Sequence, residues 1–92
     1  MDKKLELLSS SLKKFHISDD SYSIGEYAEE AICIERNGIG WKVYGGERGN
    51  KYGMKLHGDC KDACIDVISR VTETDDEEKR LTDFFNEECD KL

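Results

Sequence analysis

The sequence predicts an α+β domain: an N-terminal helix, an antiparallel meander of three or four strands, and two C-terminal helices, with the helices packed on one face of the sheet. Three observations carry this reading. Apolar residues recur at helical spacing near the start, they alternate with polar residues around an Asn-Gly pair in the middle, and they return to helical spacing after residue 59. The 92 residues suffice for one domain, taken as 1–92, with a modest core.

The first helix rests on Leu5, Leu8, Leu12 and Phe15, a single stripe whose other faces carry Lys3, Lys4, Glu6, Lys13 and Lys14. A turn at Ser18-Asp19-Asp20 follows, and Tyr22 and Ile24 alternate with serines as a short strand does. Residues 31–36 and 39–44 flank Asn37-Gly38, the residue pair favoured in two-residue hairpin turns. A turn on that pair sets Arg36 against Ile39, Ile34 against Trp41 and Ile32 against Val43. Beyond a looser turn at residues 45–50, Tyr52, Met54 and Leu56 alternate with Lys51, Gly53 and Lys55 in a further strand. The buried face is then expected to hold Ile32, Ile34, Trp41, Val43, Met54 and Leu56, leaving Tyr44 exposed on the other side.

Asp59 is placed to cap a helix in which Cys60, Cys64, Val67, Ile68 and Val71 share one side. Thr74-x-x-Glu77 reads as a capping box, and Asp75, Asp76 and Glu78 add charge that suits a helix N-terminus. Leu81, Phe84, Phe85 and Cys89 form the stripe of the last helix.

The net charge of −7 is unevenly spread. Residues 1–17 carry +2, 18–30 carry −5, 31–58 carry +3 and 59–92 carry −7. Two acidic blocks repel phosphates and attract basic proteins, so nucleic-acid binding is not expected. No run approaches the roughly 18 to 20 apolar residues of a membrane span, and the charged, periodic start does not read as a signal peptide. A cytoplasmic chain without disulfides is expected, its four cysteines packed as small hydrophobes.

Little in the chain reads as catalytic. His57, Cys60 and Cys64 are spaced as H-x2-C-x3-C with Cys89 as a possible fourth donor, yet both middle cysteines lie on a core stripe rather than on the turns that hold structural zinc. Neither His16 nor His57 has a nucleophile motif around it. Gly45-Gly46-x-x-Gly49 lacks the Lys-Ser/Thr of a phosphate loop. No cofactor, no metal and no enzymatic activity are expected.

Binding is the function that remains. Asp19, Asp20, Glu26, Tyr27, Glu29 and Glu30 form the first candidate surface, an aromatic rimmed by acids. Asp75, Asp76, Glu77 and Glu78 form the second. Tyr44 and Arg48 are the third choice, and Glu47 and Arg48 are equally readable as a pair that braces its own turn.

Ile32-Cys33-Ile34-Glu35-Arg36-Asn37-Gly38, then Trp41-Lys42-Val43-Tyr44, Glu47-Arg48-Gly49, a strand and Asp62-Ala63-Cys64 resemble a group of small immunity proteins of bacterial polymorphic-toxin and contact-dependent growth inhibition systems. The resemblance spans about residues 22–72 and implies a protein that neutralises the C-terminal toxic domain of a cognate effector, often a nuclease, by covering its active site or substrate groove. It implies no catalysis and does not locate the contact surface. An acidic adaptor or a nucleic-acid mimic is the alternative, and the oligomeric state stays open.

Overall fold

The computed structural model describes residues 2–92 and has an N-terminal helix, a four-stranded mixed sheet and two C-terminal helices. Helix α1 (Lys3–Lys14) starts at Asp2, whose side chain accepts from the Lys4 N–H at 2.8 Å. It ends in a Schellman motif, with the Ile17 N–H donating to the Leu12 carbonyl at 2.9 Å and His16 N–H to Lys13 at 3.1 Å. The motif requires a left-handed residue after the cap, and His16 takes φ +61° in a position that favours glycine. Ser11 is buried on this helix because its hydroxyl donates to the Leu7 carbonyl at 2.7 Å.

A single 3-10 turn at Asp19–Ser21 leads into strand β1 (Tyr22–Ile24), followed by β2 (Ile32–Asn37), β3 (Gly40–Glu47) and β4 (Asn50–His57), in the spatial order β1-β2-β3-β4. β2, β3 and β4 form the expected antiparallel meander, but β1 pairs parallel to β2. The sheet is therefore mixed, a correction with a local cause. Residues 25–31 return the chain to the end where β1 began, with Tyr27 and Ala28 packed on Cys33 and Tyr44.

The β2–β3 register also differs from the expected one. Gly38 and Ile39 form the turn, so that Asn37 faces Gly40, Arg36 faces Trp41 and Ile34 faces Val43. Gly38 has φ +64° and Ile39 lies outside that region, as in a type II′ turn with glycine first. The slip is two residues, which leaves every side chain on the same face. Arg36 lies over the Trp41 ring at 5.0 Å, and Ile39 projects from the tip, 98% exposed.

Between β3 and β4 the register shifts at a bulge. Val43 faces Lys55 and Gly45 faces Tyr52, which leaves Gly53 and Met54 together opposite Tyr44. Gly53 supplies φ +60° there. The bulge separates Tyr52, which lies over Gly45, from Leu56, which pairs with Lys42 on the opposite face. Met54 and Leu56 are consequently outside the core, 47% and 62% exposed, contrary to the alternation read from the sequence.

Helix α2 (Cys60–Val71) lies against β2 and β3, and α3 (Asp75–Cys89) lies against α1 and α2. Leu5, Leu8, Leu12, Ile34, Trp41, Val43, Cys64, Val67, Ile68, Leu81 and Phe85 share one core cluster. Asp59 occupies the N-cap of α2 without a side-chain cap bond, whereas Thr74 accepts from the Glu77 N–H at 3.1 Å as expected. The four cysteines are free thiols, three of them buried. No helix among the described residues is long and apolar enough to cross a membrane.

Candidate functional site

The opposite face of the sheet carries a second, smaller cluster made by Ala31, Cys33 and Tyr44 with Tyr27 and Ala28 against them. Tyr44 is fully buried, not exposed, because the 25–31 segment covers it. Its ring stacks on Tyr27 at 6.3 Å, Lys51 lies over it at 5.0 Å, and its hydroxyl donates to Glu35. Burial, reinforced by that carboxylate, pushes the Tyr44 phenol well up. Tyr44 is thereby removed from the candidate contact residues.

Glu29 explains how the segment is fastened. Arg48 (φ +51°) and Gly49 (φ +79°) form a type I′ turn between β3 and β4, and the turn leaves two N–H groups pointing outward. Glu29 accepts both, from Arg48 at 2.7 Å and Gly49 at 2.6 Å, and also accepts the Tyr27 hydroxyl at 2.8 Å. The Tyr27 hydrogen bond, with those from Gly49 and Arg48, holds the Glu29 carboxyl below its ordinary range. Tyr27 and Glu29 are therefore bracing residues, and among the described residues Glu47 and Arg48 join no ion pair. The Glu-Arg-Gly motif marks a turn that another segment grips.

The same arrangement builds a cleft. Asp19, Asp20, Tyr22 and Ser23 form one wall and Ala28, Glu29, Glu30 and Ala31 the other, around an open volume of about 430 Å³. Four of the six residues in the first candidate surface thus meet, drawn from the turn before β1 and the segment before β2. Glu26 and Tyr27 do not line it. Asp19 accepts the Tyr22 hydroxyl at 3.2 Å, and Glu30 is held at φ +54° by its N–H bond to the Gly46 carbonyl. Tyr22, Ser23, Ala28 and Ala31 were not singled out by sequence, since nothing in their spacing signals that two distant segments converge.

The second acidic block sits on the exposed first turn of α3. Glu77 accepts from the Glu73 N–H at 3.0 Å and Asp76 pairs with Arg80 at 3.0 Å, while Asp75 and Glu78 line a shallow depression with Asp83. Ser18 and Ser21, from the turn that carries Asp19 and Asp20, share a neighbouring depression with Glu73 and Glu77. Two blocks far apart in sequence are adjacent on the surface.

His57 is turned toward α2, where its Nε2 meets Asp66 at 2.8 Å, and the other Asp66 oxygen accepts from Arg70 Nε at 2.8 Å. Partial burial works against the Asp66 carboxylate, but the His57 and Arg70 hydrogen bonds outweigh it and set its pKa below the ordinary 3.8. Among the described residues no three His, Cys, Asp or Glu side chains are grouped to hold a metal ion.

The depressed carboxyls of Glu29 and Asp66 fix the sign of a pH effect. Their stabilising contribution is complete above the ordinary carboxyl pKa and is lost as pH falls through the lower folded-state values. The thermal unfolding temperature is expected to drop steeply below about pH 4. The double variant Glu29→Gln with Asp66→Asn should be less stable at neutral pH and flatter across that acid range. An unchanged acid slope in the variant would remove these two carboxyls as the cause.

Compared with protein-family models, with curated proteins and with solved structures, the chain matches none.

Proposed function

We propose that this chain is an immunity protein that binds the toxic domain of a cognate effector in the cytoplasm and blocks its active site or substrate groove. The toxic domain is a basic nuclease, the immunity protein acts without catalysis, and its acidic surface occupies the groove that nucleic acid would fill. The observation that carries this reading is the cleft between Asp19, Asp20, Glu29 and Glu30. The Glu29 carboxylate is spent on the β3–β4 turn, which leaves Asp19, Asp20 and Glu30 to face a partner. The resemblance across residues 22–72 supplies the partner class.

A basic groove on a nuclease attracts phosphate by the same field that would draw this surface in, so capture is fast and weakens with salt. The test is association kinetics with the toxic domain encoded by the adjacent upstream gene. Asp20→Lys with Glu30→Lys should slow association by about tenfold and flatten its salt dependence. Asp75→Lys with Glu78→Lys should have the smaller effect. A wild-type association rate that ignores salt would sink the charge mechanism, and unimpeded nuclease activity at saturating protein would sink the function.

A further inference from the structure

Strand β4 is the edge of the sheet opposite β1, and it is bare. Its residues 50–56 are all exposed, and it carries three of the large exposed apolar side chains of the described residues, Tyr52 at 52%, Met54 at 47% and Leu56 at 62%. An eight-residue edge strand with unpaired backbone groups and such side chains is a template for another strand.

We propose that β4 pairs antiparallel with β4 of a second copy of this chain, joining two sheets into one. Self-complementarity argues for this occupant. Full overlap of the strand with itself sets Asn50 against His57, Lys51 against Leu56, Tyr52 against Lys55 and Gly53 against Met54.

Opposed residues in an antiparallel pair must share a face, and in a regular strand this overlap would break that rule at every position. The bulge at Gly53 and Met54 restores it. Tyr52 and Lys55 both lie on the face of Val43 and Gly45, and Lys51 and Leu56 both lie on the face of Lys42 and Gly46. No lysine meets a lysine. Each instead covers an apolar partner with its methylene stem, and Lys55 meets the Tyr52 ring.

Edge lysines and bulges commonly discourage such pairing. Here the lysines fall opposite apolar side chains and the bulge falls on the two-fold axis. Pairing at β4 brings together two strands of positive balance, +3 over residues 31–58 in a chain of −7, so the register and the apolar side chains, not charge, hold the seam. The acidic cleft stands at the β1 edge, at the far side of the sheet, so both clefts of the dimer stay open.

Sedimentation equilibrium of the full chain across a concentration series tests the pairing. The wild type should approach twice the monomer mass, and added salt should tighten the dimer by screening the repulsion between two acidic chains. Toxin capture should weaken in the same salt series, so failure of one reading is distinguishable from failure of the other. Leu56→Lys sets lysine against Lys51 of the other copy at both symmetric positions and should weaken the dimer by more than about tenfold. Its far-ultraviolet circular dichroism should be unchanged, since Leu56 lies outside the core. Lys51→Glu added to Leu56→Lys should restore the dimer.

A wild type that stays monomeric throughout overturns the proposal, as does a dimer indifferent to Leu56→Lys. A monomeric wild type whose outward β4 amides become protected from hydrogen exchange only when the upstream toxic domain is added would assign this edge to the toxin instead.

Discussion

Gly46→Ala is expected to destabilise the protein by roughly 3 kcal/mol, while Gly45→Ala, one residue away, costs about 1 kcal/mol. A β-carbon on Gly46 would stand 2.3 Å from the Ala28 carbonyl oxygen and 2.9 Å from the Tyr27 ring. Backbone cannot swing aside, so the 25–31 segment would have to lift. The lift would break the bonds from the Glu30 N–H to the Gly46 carbonyl and from the Gly46 N–H to Ala31, 2.8 and 2.9 Å in the native fold. At Gly45 the obstacle is the Tyr52 side chain, half exposed and free to rotate away. Urea unfolding measures both costs, and limited proteolysis of residues 25–31 reports the lift. Because Ala28 to Ala31 form one wall of the cleft, Gly46→Ala should also weaken the proposed toxin binding where Gly45→Ala does not. Equal stability of the two variants would show that the segment is not seated as described.

Phe85→Ala is expected to cost about 3 to 5 kcal/mol, the largest effect of any single substitution considered. Phe85 is fully buried in the cluster that joins α1, α2 and α3 to Ile34 and Val43. Its loss removes the burial of a large ring and leaves a cavity between elements that relax only in part. Against a total stability of about 5 to 15 kcal/mol, nearer the lower end for a small domain, this change leaves a measurable unfolded fraction. Phe84→Ala makes the control. That ring is only half buried, touching Phe15 at 5.8 Å with Lys14 over it at 5.3 Å, and about 1 to 2 kcal/mol is expected. A Phe85→Ala cost no greater than that of Phe84→Ala, read from urea midpoints, would contradict the core assignment.

These contrasts divide what is legible in the chain from what is not. The helical stripes were legible because local spacing decides which residues of a helix share a face: Leu5, Leu8 and Leu12, Cys64, Val67 and Ile68, and Leu81 and Phe85 are all buried. Trp41 was legible as a core residue for the same kind of reason, from its alternation with Val43. The acidic segments were legible as charge, but the hydrogen bonds by which Tyr27 and Glu29 grip the Arg48-Gly49 turn were not. That grip spans about twenty residues of sequence and leaves no local trace.

Sequence by itself determined the helices, the two hairpins, the cap at Thr74, and the segregation of charge, since each depends on neighbours within a few residues. The tertiary structure alone decided three things. It set the β2–β3 register, because a two-residue slip keeps every side chain on its face and the alternation cannot distinguish the two turns. It decided that Tyr44 is covered while Met54 and Leu56 are not, because alternation tells which residues share a face but not what lies upon it. It brought Asp19 and Asp20 to Glu30 by running residues 25–31 back across the sheet, which made β1 parallel to β2 and turned two acidic stretches into the walls of one cleft.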